Sequence, residues 1–276
     1  MADPTGTVAD PTGPVAEQPP PAPAVLAERE DAVAVVRLNR PDRRNALTTD
    51  TMHDLVDALA AADADPQVRA IVLTGGSQTF ASGADVRELL ALDTARYLDS
   101  PRVGAWRRIM SVGTPLVAAV AGPVLGGGCE LALACDLVVA ADNAVFGQPE
   151  IRLGIMPGAG GTQRWARVAG RFVAAEVVLL GRTVDAWRAR DLGLVHRVAP
   201  RERVVQVGVE VARELAGFGP IATRQARAAV RATEETPLSA GLDLERAMLA
   251  GLLGTADRTE GITAFLDKRP PRFQGR

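Results

Sequence analysis

Hydrophobic positions along the chain follow two rhythms. Short, almost unbroken apolar runs from Arg69 to Thr74, Leu116 to Val120 and Asp136 to Ala140 have the density of strands buried on both faces, the kind used in parallel sheets. Ala32 to Leu38 alternates enough to be a strand, and Ala144-Val145-Phe146 and Leu194 to Val198 predict two short ones. The second rhythm is helical: Met52, Leu55, Val56 and Leu59 repeat at i, i+3, i+4, i+7, and Asp65-Pro66 ends that helix. Further helices are predicted after Asp85, through an irregular stretch at 91–112 broken by Pro101, and near 161–180, 185–192 and 201–217. From Pro220 onward the pattern is helical throughout. Strands alternating with helices, then helices alone, predict an α/β core over 25–219 with a C-terminal helical region over 220–276.

Ahead of that core stands an imperfect repeat, Ala2-Asp3-Pro4-Thr5-Gly6-Thr7-Val8 then Ala9-Asp10-Pro11-Thr12-Gly13-Pro14-Val15, followed by a proline cluster. Such a stretch buries too little apolar area to offset chain entropy, so residues 1–24 are expected to be a disordered tail. The rest of the composition narrows the function. An apolar fraction of 47% fills a sizeable core, and a net charge of −2 offers no basic field for nucleic acid or an anionic membrane. No apolar stretch is long enough to span a bilayer, and the first residues lack the basic, amphipathic character of a transit peptide. Cys129 and Cys135, with His53 and His196 remote from them in sequence, support neither a zinc site nor a disulfide framework. A reducing cytosol is the expected compartment and no metal is expected.

Candidate chemistry concentrates where Gly126-Gly127-Gly128 separates the strand ending at Val120 from a helix containing Glu130. Glycines at a strand-to-helix turn let a ligand approach the backbone, and first-turn N–H groups with the helix dipole favour developing negative charge. Glu130 stands beside that turn, and Glu150 follows a short strand and a Pro turn that returns it over the same crevice. An anion hole flanked by two carboxylates suits enolate chemistry, one group moving a proton while the other activates or protonates water. A glutamate in a first helical turn also has a plain role, complementing the dipole.

Val124-Leu125-Gly126-Gly127-Gly128-Cys129-Glu130-Leu131-Ala132 resembles the oxyanion and first-glutamate motif of the enoyl-CoA hydratase (crotonase) family. The similarity continues through Phe146-Gly147-Gln148-Pro149-Glu150-Ile151 and from Leu153 through Gly158 to Arg164. Phe80-Ala81-Ser82-Gly83-Ala84-Asp85 resembles the motif that supplies the second oxyanion N–H, which falls on Ser82, with Gly127 as its counterpart. The resemblance implies a spiral of ββα units in two sheets over about residues 25 to 274, with C-terminal helices that assemble trimers and often hexamers. It also implies hydration of trans-2-enoyl-CoA, with Glu130 and Glu150 as base and acid in an order the sequence leaves open. Ala81, Gly83, Ala84, Asp85, Gly126 and Gly158 would line the substrate. Phe265 and Lys268 resemble positions that reach coenzyme A, and Arg43 and Arg44 are candidates for its phosphates. No cofactor is implied, because coenzyme A is part of the substrate.

Three competing functions stay in view. An isomerase of the same family would use the same hole with a different carboxylate set. An acyl-CoA-binding protein without catalysis would not need both glutamates. A serine hydrolase finds no Gly-X-Ser-X-Gly around Ser82 and no histidine placed as base. A dinucleotide site is excluded by the lack of Gly-X-Gly-X-X-Gly after the first strand, and Gly158-Ala159-Gly160-Gly161 lies beyond the two glutamates.

Overall fold

A computed structural model describes residues 22–276, so nearly all of the predicted tail lies outside the described residues. The larger sheet is built from β1 (Val25–Glu30), β2 (Val33–Leu38), β3 (Ala70–Thr74), β4 (Leu116–Val120), β6 (Leu137–Ala141) and β9 (Arg197–Ala199), in that spatial order. Only the β1–β2 pair is antiparallel; the others run parallel. A smaller sheet holds β5 (Pro123–Leu125), β7 (Val145–Gly147) and β8 (Thr183–Asp185) in the order β5-β7-β8. Successive strands therefore pass between the two sheets, with short corners from β4 to β5 and from β6 to β7. Gly122 makes the first of these corners at φ +56°, where a Cβ would collide with Gln78 O at 2.3 Å.

The unbroken apolar runs are explained by layers on both sides of the larger sheet. Along β3 and β4, Ile71, Leu73, Leu116, Ala118 and Val120 face one core with α1 (Thr49–Ala64). Their neighbours Ala70, Val72, Val117 and Ala119 face a second core, covered by Val204, Val207, Val211 and Ala212 of α9 (Val204–Ala216). Helix α9 lies so close that a Cβ on Gly208 would stand 2.7 Å from Ala119 Cβ. On the first face, α1 buries Met52, Leu55, Val56 and Leu59, as its period predicts, and Thr48 caps its start through a hydrogen bond from Thr51 N–H at 3.1 Å.

Between the strands lie α2 (Val86–Leu90), α3 (Thr94–Leu98), α4 (Pro101–Ser111), α5 (Gly127–Leu133), α6 (Gly161–Ala169), α7 (Arg171–Leu179) and α8 (Ala186–Asp191). The predicted 161–180 helix is two helices, because Gly170 at φ +81° ends α6 and begins α7. The C-terminal helices are α10 (Pro220–Ala232), α11 (Leu238–Leu252) and α12 (Ala256–Leu266). Helix α10 is tied to the core where Asp136 accepts from Arg227 Nε at 2.6 Å and Arg231 Nε at 3.0 Å. His53 is half-buried on α1, and His196 is exposed just before β9.

Candidate active site

The crevice forms where segment 80–85, the start of α5 and the loop before α6 converge. Segment 80–85 is pinned along both edges. On one side Phe80 N–H donates to Ala121 O at 2.8 Å, Ala81 N–H to Pro123 O at 3.2 Å, and Leu125 N–H to Ala81 O at 3.1 Å. On the other, Ser82 N–H donates to Arg44 O at 3.1 Å, Leu47 N–H to Gly83 O at 2.8 Å, and Asp85 N–H to Leu47 O at 3.1 Å. The loop carrying Arg43 and Arg44 is itself fixed by buried Asn45, whose side chain accepts from Arg40 N–H at 2.8 Å and donates to Thr79 O at 2.8 Å.

These bonds overturn one expectation: the Ser82 N–H is spent on Arg44 O and is not free for a ligand. The N–H that meets Gly127 belongs to Ala84. Gly83, at φ +106°, redirects the chain and packs its α-carbon against Gly126, and Ala84 N comes within 3.6 Å of where a Cβ on Gly127 would stand. Among the described residues neither Ala84 N–H nor Gly127 N–H has an acceptor. Gly126, at φ +52°, turns the chain from β5 into α5, and a Cβ there would lie 3.2 Å from Glu150 Oε1. Two free N–H groups therefore open onto the space beside a carboxyl.

Glu130 is 3% exposed in the first turn of α5. Its Oε1 accepts from Ala159 N–H at 2.7 Å and Gly161 N–H at 2.8 Å. Burial pushes its carboxyl above the ordinary value, and these two bonds, with the Arg164 charge, oppose that rise. The glycine-rich loop that the sequence places beyond the glutamates is thus the clamp on one of them. Its signal is legible afterwards: alternate N–H groups at the entry to α6 converge on one carboxylate oxygen, the kind of donor set that anions favour.

Glu150 sits in a short 3-10 turn, Pro149–Leu153, after β7. Burial raises its carboxyl to about 7, with the neighbouring Glu130 charge adding to the rise and its own backbone N–H opposing it. Gln148, fully buried, orients it: with the amide turned so that both its atoms are satisfied, its nitrogen donates to Glu150 Oε1 and Oε2 at 3.0 and 3.2 Å. The sequence motif contains Gln148, and only the fold reveals it as the support.

The structure thus gathers Ala81, Ser82, Gly83, Ala84, Gly126, Gly127, Glu130, Glu150 and Gly158 around one crevice, with Leu47 and Trp106 as apolar wall against Gly127. Asp85 caps α2 by accepting from Arg87 N–H at 2.9 Å. Arg43 lies exposed at the edge of the Arg44–Ser82 contact and pairs with Asp42 at 3.5 Å. Phe265 and Lys268 are exposed at the end of α12, and among the described residues no hydrogen bond or ion pair ties their side chains to the crevice.

Comparison with known proteins gives the family of the chain. The profile of the enoyl-CoA hydratase/isomerase family matches residues 28–276. The chain is 44% identical over 252 residues to the 2,3-dehydroadipyl-CoA hydratase of Escherichia coli, covering 91% of this chain and 99% of that protein. It is 42% identical to a probable enoyl-CoA hydratase of Mycobacterium tuberculosis, over 91% of this chain and 98% of that one. A crystal structure of an enoyl-CoA hydratase from Bacillus anthracis superimposes with a TM-score of 0.87 at 33% identity, covering 92% of this chain and all of that one (100%). The chain belongs to the enoyl-CoA hydratase/isomerase family and has its crotonase fold.

Proposed function

We propose that the crevice adds water across the double bond of a trans-2-enoyl-CoA thioester, giving a 3-hydroxyacyl-CoA. The observation that carries this is the placement of two acceptor-free N–H groups, Ala84 and Gly127, near one buried carboxyl, Glu130, and one half-buried carboxyl, Glu150. The N–H pair takes the thioester oxygen and stabilises the enolate charge that grows on it. Glu130, whose ionised form is supported by two backbone donors, removes a proton from water as the oxygen bonds to Cβ. The π electrons of the double bond pass through Cα to the thioester oxygen. As the carbonyl re-forms, Cα takes a proton from Glu150, whose pKa, raised to about 7, leaves a protonated fraction available near neutrality. Transfer of the proton from Glu130 back to Glu150 restores the starting state.

The scheme needs no metal or redox cofactor, and coenzyme A enters as part of the substrate. Arg43, next in sequence to Arg44, whose carbonyl accepts from Ser82 N–H, is a candidate for its phosphates. Phe265 and Lys268 remain candidates for the same end of the substrate. Loss of the conjugated thioester absorbance of crotonyl-CoA tests the reaction directly. An enzyme that binds crotonyl-CoA without consuming it would overturn hydration in favour of an acyl-CoA-binding role.

A further inference from the structure

Tyr97, the only tyrosine in the chain, reaches from α3 to the loop that clamps Glu130. Its hydroxyl stands 2.9 Å from where a Cβ on Gly158 would lie, and its Cζ stands 4.0 Å from the same point. The ring tip thus fills the room left by the missing side chain at residue 158. Gly158 directly precedes Ala159, whose N–H grips Glu130 at 2.7 Å. Tyr97 is 41% exposed, so its ring is not part of the core.

The surrounding elements hold it there. Asp93 caps α3 by accepting from Arg96 N–H at 2.9 Å, and Ser100 caps α4 immediately after. Arg102, 8% exposed at the start of α4, donates to Leu47 O at 3.0 Å and pairs with Glu88 at 3.3 Å. That fixes α4 against the anion-hole side, where Trp106 brings its ring within 3.9 Å of a Cβ position on Gly127. An acyl chain with its carbonyl oxygen on Ala84 and Gly127 has Cα and Cβ between the carboxyls. Trp106 on α4 and Tyr97 on α3 thus touch two sides of the site, Trp106 at Gly127 and Tyr97 at Gly158.

We propose that Tyr97 is the stop at the acyl end of the crevice, which restricts it to short enoyl chains through the bulk of the ring. The proposal rests on the hydratase function above. An aromatic ring suits such a stop because it supplies rigid area with few rotatable bonds. Each added methylene that must find room changes discrimination by roughly tenfold or more, so a single wall residue can set chain length.

The test compares kcat/KM for trans-2-decenoyl-CoA with that for crotonyl-CoA in the parent, Tyr97→Ala and Tyr97→Phe proteins. The parent should favour crotonyl-CoA, and Tyr97→Ala should raise the decenoyl-to-crotonyl ratio by at least about tenfold. Tyr97→Phe, which keeps the ring, should stay within about twofold of the parent ratio. An unchanged ratio in Tyr97→Ala overturns the proposal, as does a Tyr97→Phe shift equal to that of Tyr97→Ala. If no variant turns over either substrate, hydration is what fails. Titration of the parent and Tyr97→Ala with butyryl-CoA and decanoyl-CoA then decides the stop alone. A gain in decanoyl over butyryl affinity on removing the ring supports it, and equal relative affinities sink it.

Discussion

At the scale of single residues, the two glutamates have different supports and therefore different expected behaviour. Replacing either by Gln keeps shape while removing proton transfer, which is worth about 10²–10⁴ in rate. Glu130→Gln and Glu150→Gln should each lose kcat on crotonyl-CoA by that order, and the double variant should lose less than the product, since both groups act on one water. Steady-state kinetics at the parent rate in both single variants would remove the two-carboxylate mechanism. Glu150 carries a second signature, in stability. Its folded-state value, about 7, lies above the ordinary 4.5, so the folded state binds that proton more tightly than the unfolded one. Its contribution is present in full below about 4.5 and is lost as pH rises through about 7. The melting temperature of Glu150→Gln should therefore gain on that of the parent across this window and level off above it. A constant offset from pH 4 to 8 would show that the carboxyl is not held protonated.

Ser82 and Ala84 show where residue-level legibility ends. The segment's small residues mark a close approach of backbone to ligand, but which N–H faces the hole depends on the positive φ at Gly83, and no composition signal records that. Because the Ser82 N–H belongs to Arg44 O, Ser82→Ala should leave crotonyl-CoA turnover within about threefold, well short of the roughly 10²–10³ that losing an oxyanion donor costs. Turnover assays of that variant decide between the two donors. Glu130, Glu150 and Gly127 could be singled out from the sequence because their motif spacing is specific, and the fold brings them to one place. Gln148 and the donors on Ala159 and Gly161 were not singled out, since supporting a carboxylate requires proximity across the fold.

At the scale of elements, long periodic segments were readable, while of the short strands β7 and β9 were anticipated near their places and β5 and β8 were not. Helix α1 and strands β2, β3 and β4 follow their hydrophobic rhythms, because burial on one or both faces dictates residue type. Strand β1, Val-Leu-Ala-Glu-Arg-Glu at the sheet edge, is apolar in its first half and polar in its second, and gives no strand rhythm. Strands β5 and β8 have three residues each, too few for a period to show. Gly208 illustrates packing overriding propensity. Alanine in mid-helix gains about 1 kcal/mol over glycine, but here its Cβ would stand 2.7 Å from Ala119 Cβ. Overpacking costs about 1–3 kcal/mol, so Gly208→Ala should be net destabilising, by up to about 2 kcal/mol. Chemical denaturation checks the sign, and a stabilised variant would mean that α9 can slide off the sheet without penalty.

At the scale of the whole molecule, the C-terminal helices are the anomaly. Helix α11 has fifteen residues, five of them leucine, and none is buried; α10 buries none either. Leu238 is 79% exposed, Leu249 57%, Leu253 52% and Phe265 83%. An amphipathic helix draws most of its stability from burying its apolar face, and a patch of this size left open marks an interface. Since the patch recurs on every copy, closed association of identical chains is the simplest way to cover it. We propose a trimer or a pair of trimers joined through these helices. Light scattering at micromolar concentration should return three or six times the chain mass. Placing Asp at both Leu249 and Leu253 should lower that mass, while leaving intact the internal ion pairs of Asp136 with Arg227 and Arg231 that fasten α10 to the core. A parent protein that scatters as a monomer would leave α11 unexplained and remove the assembly.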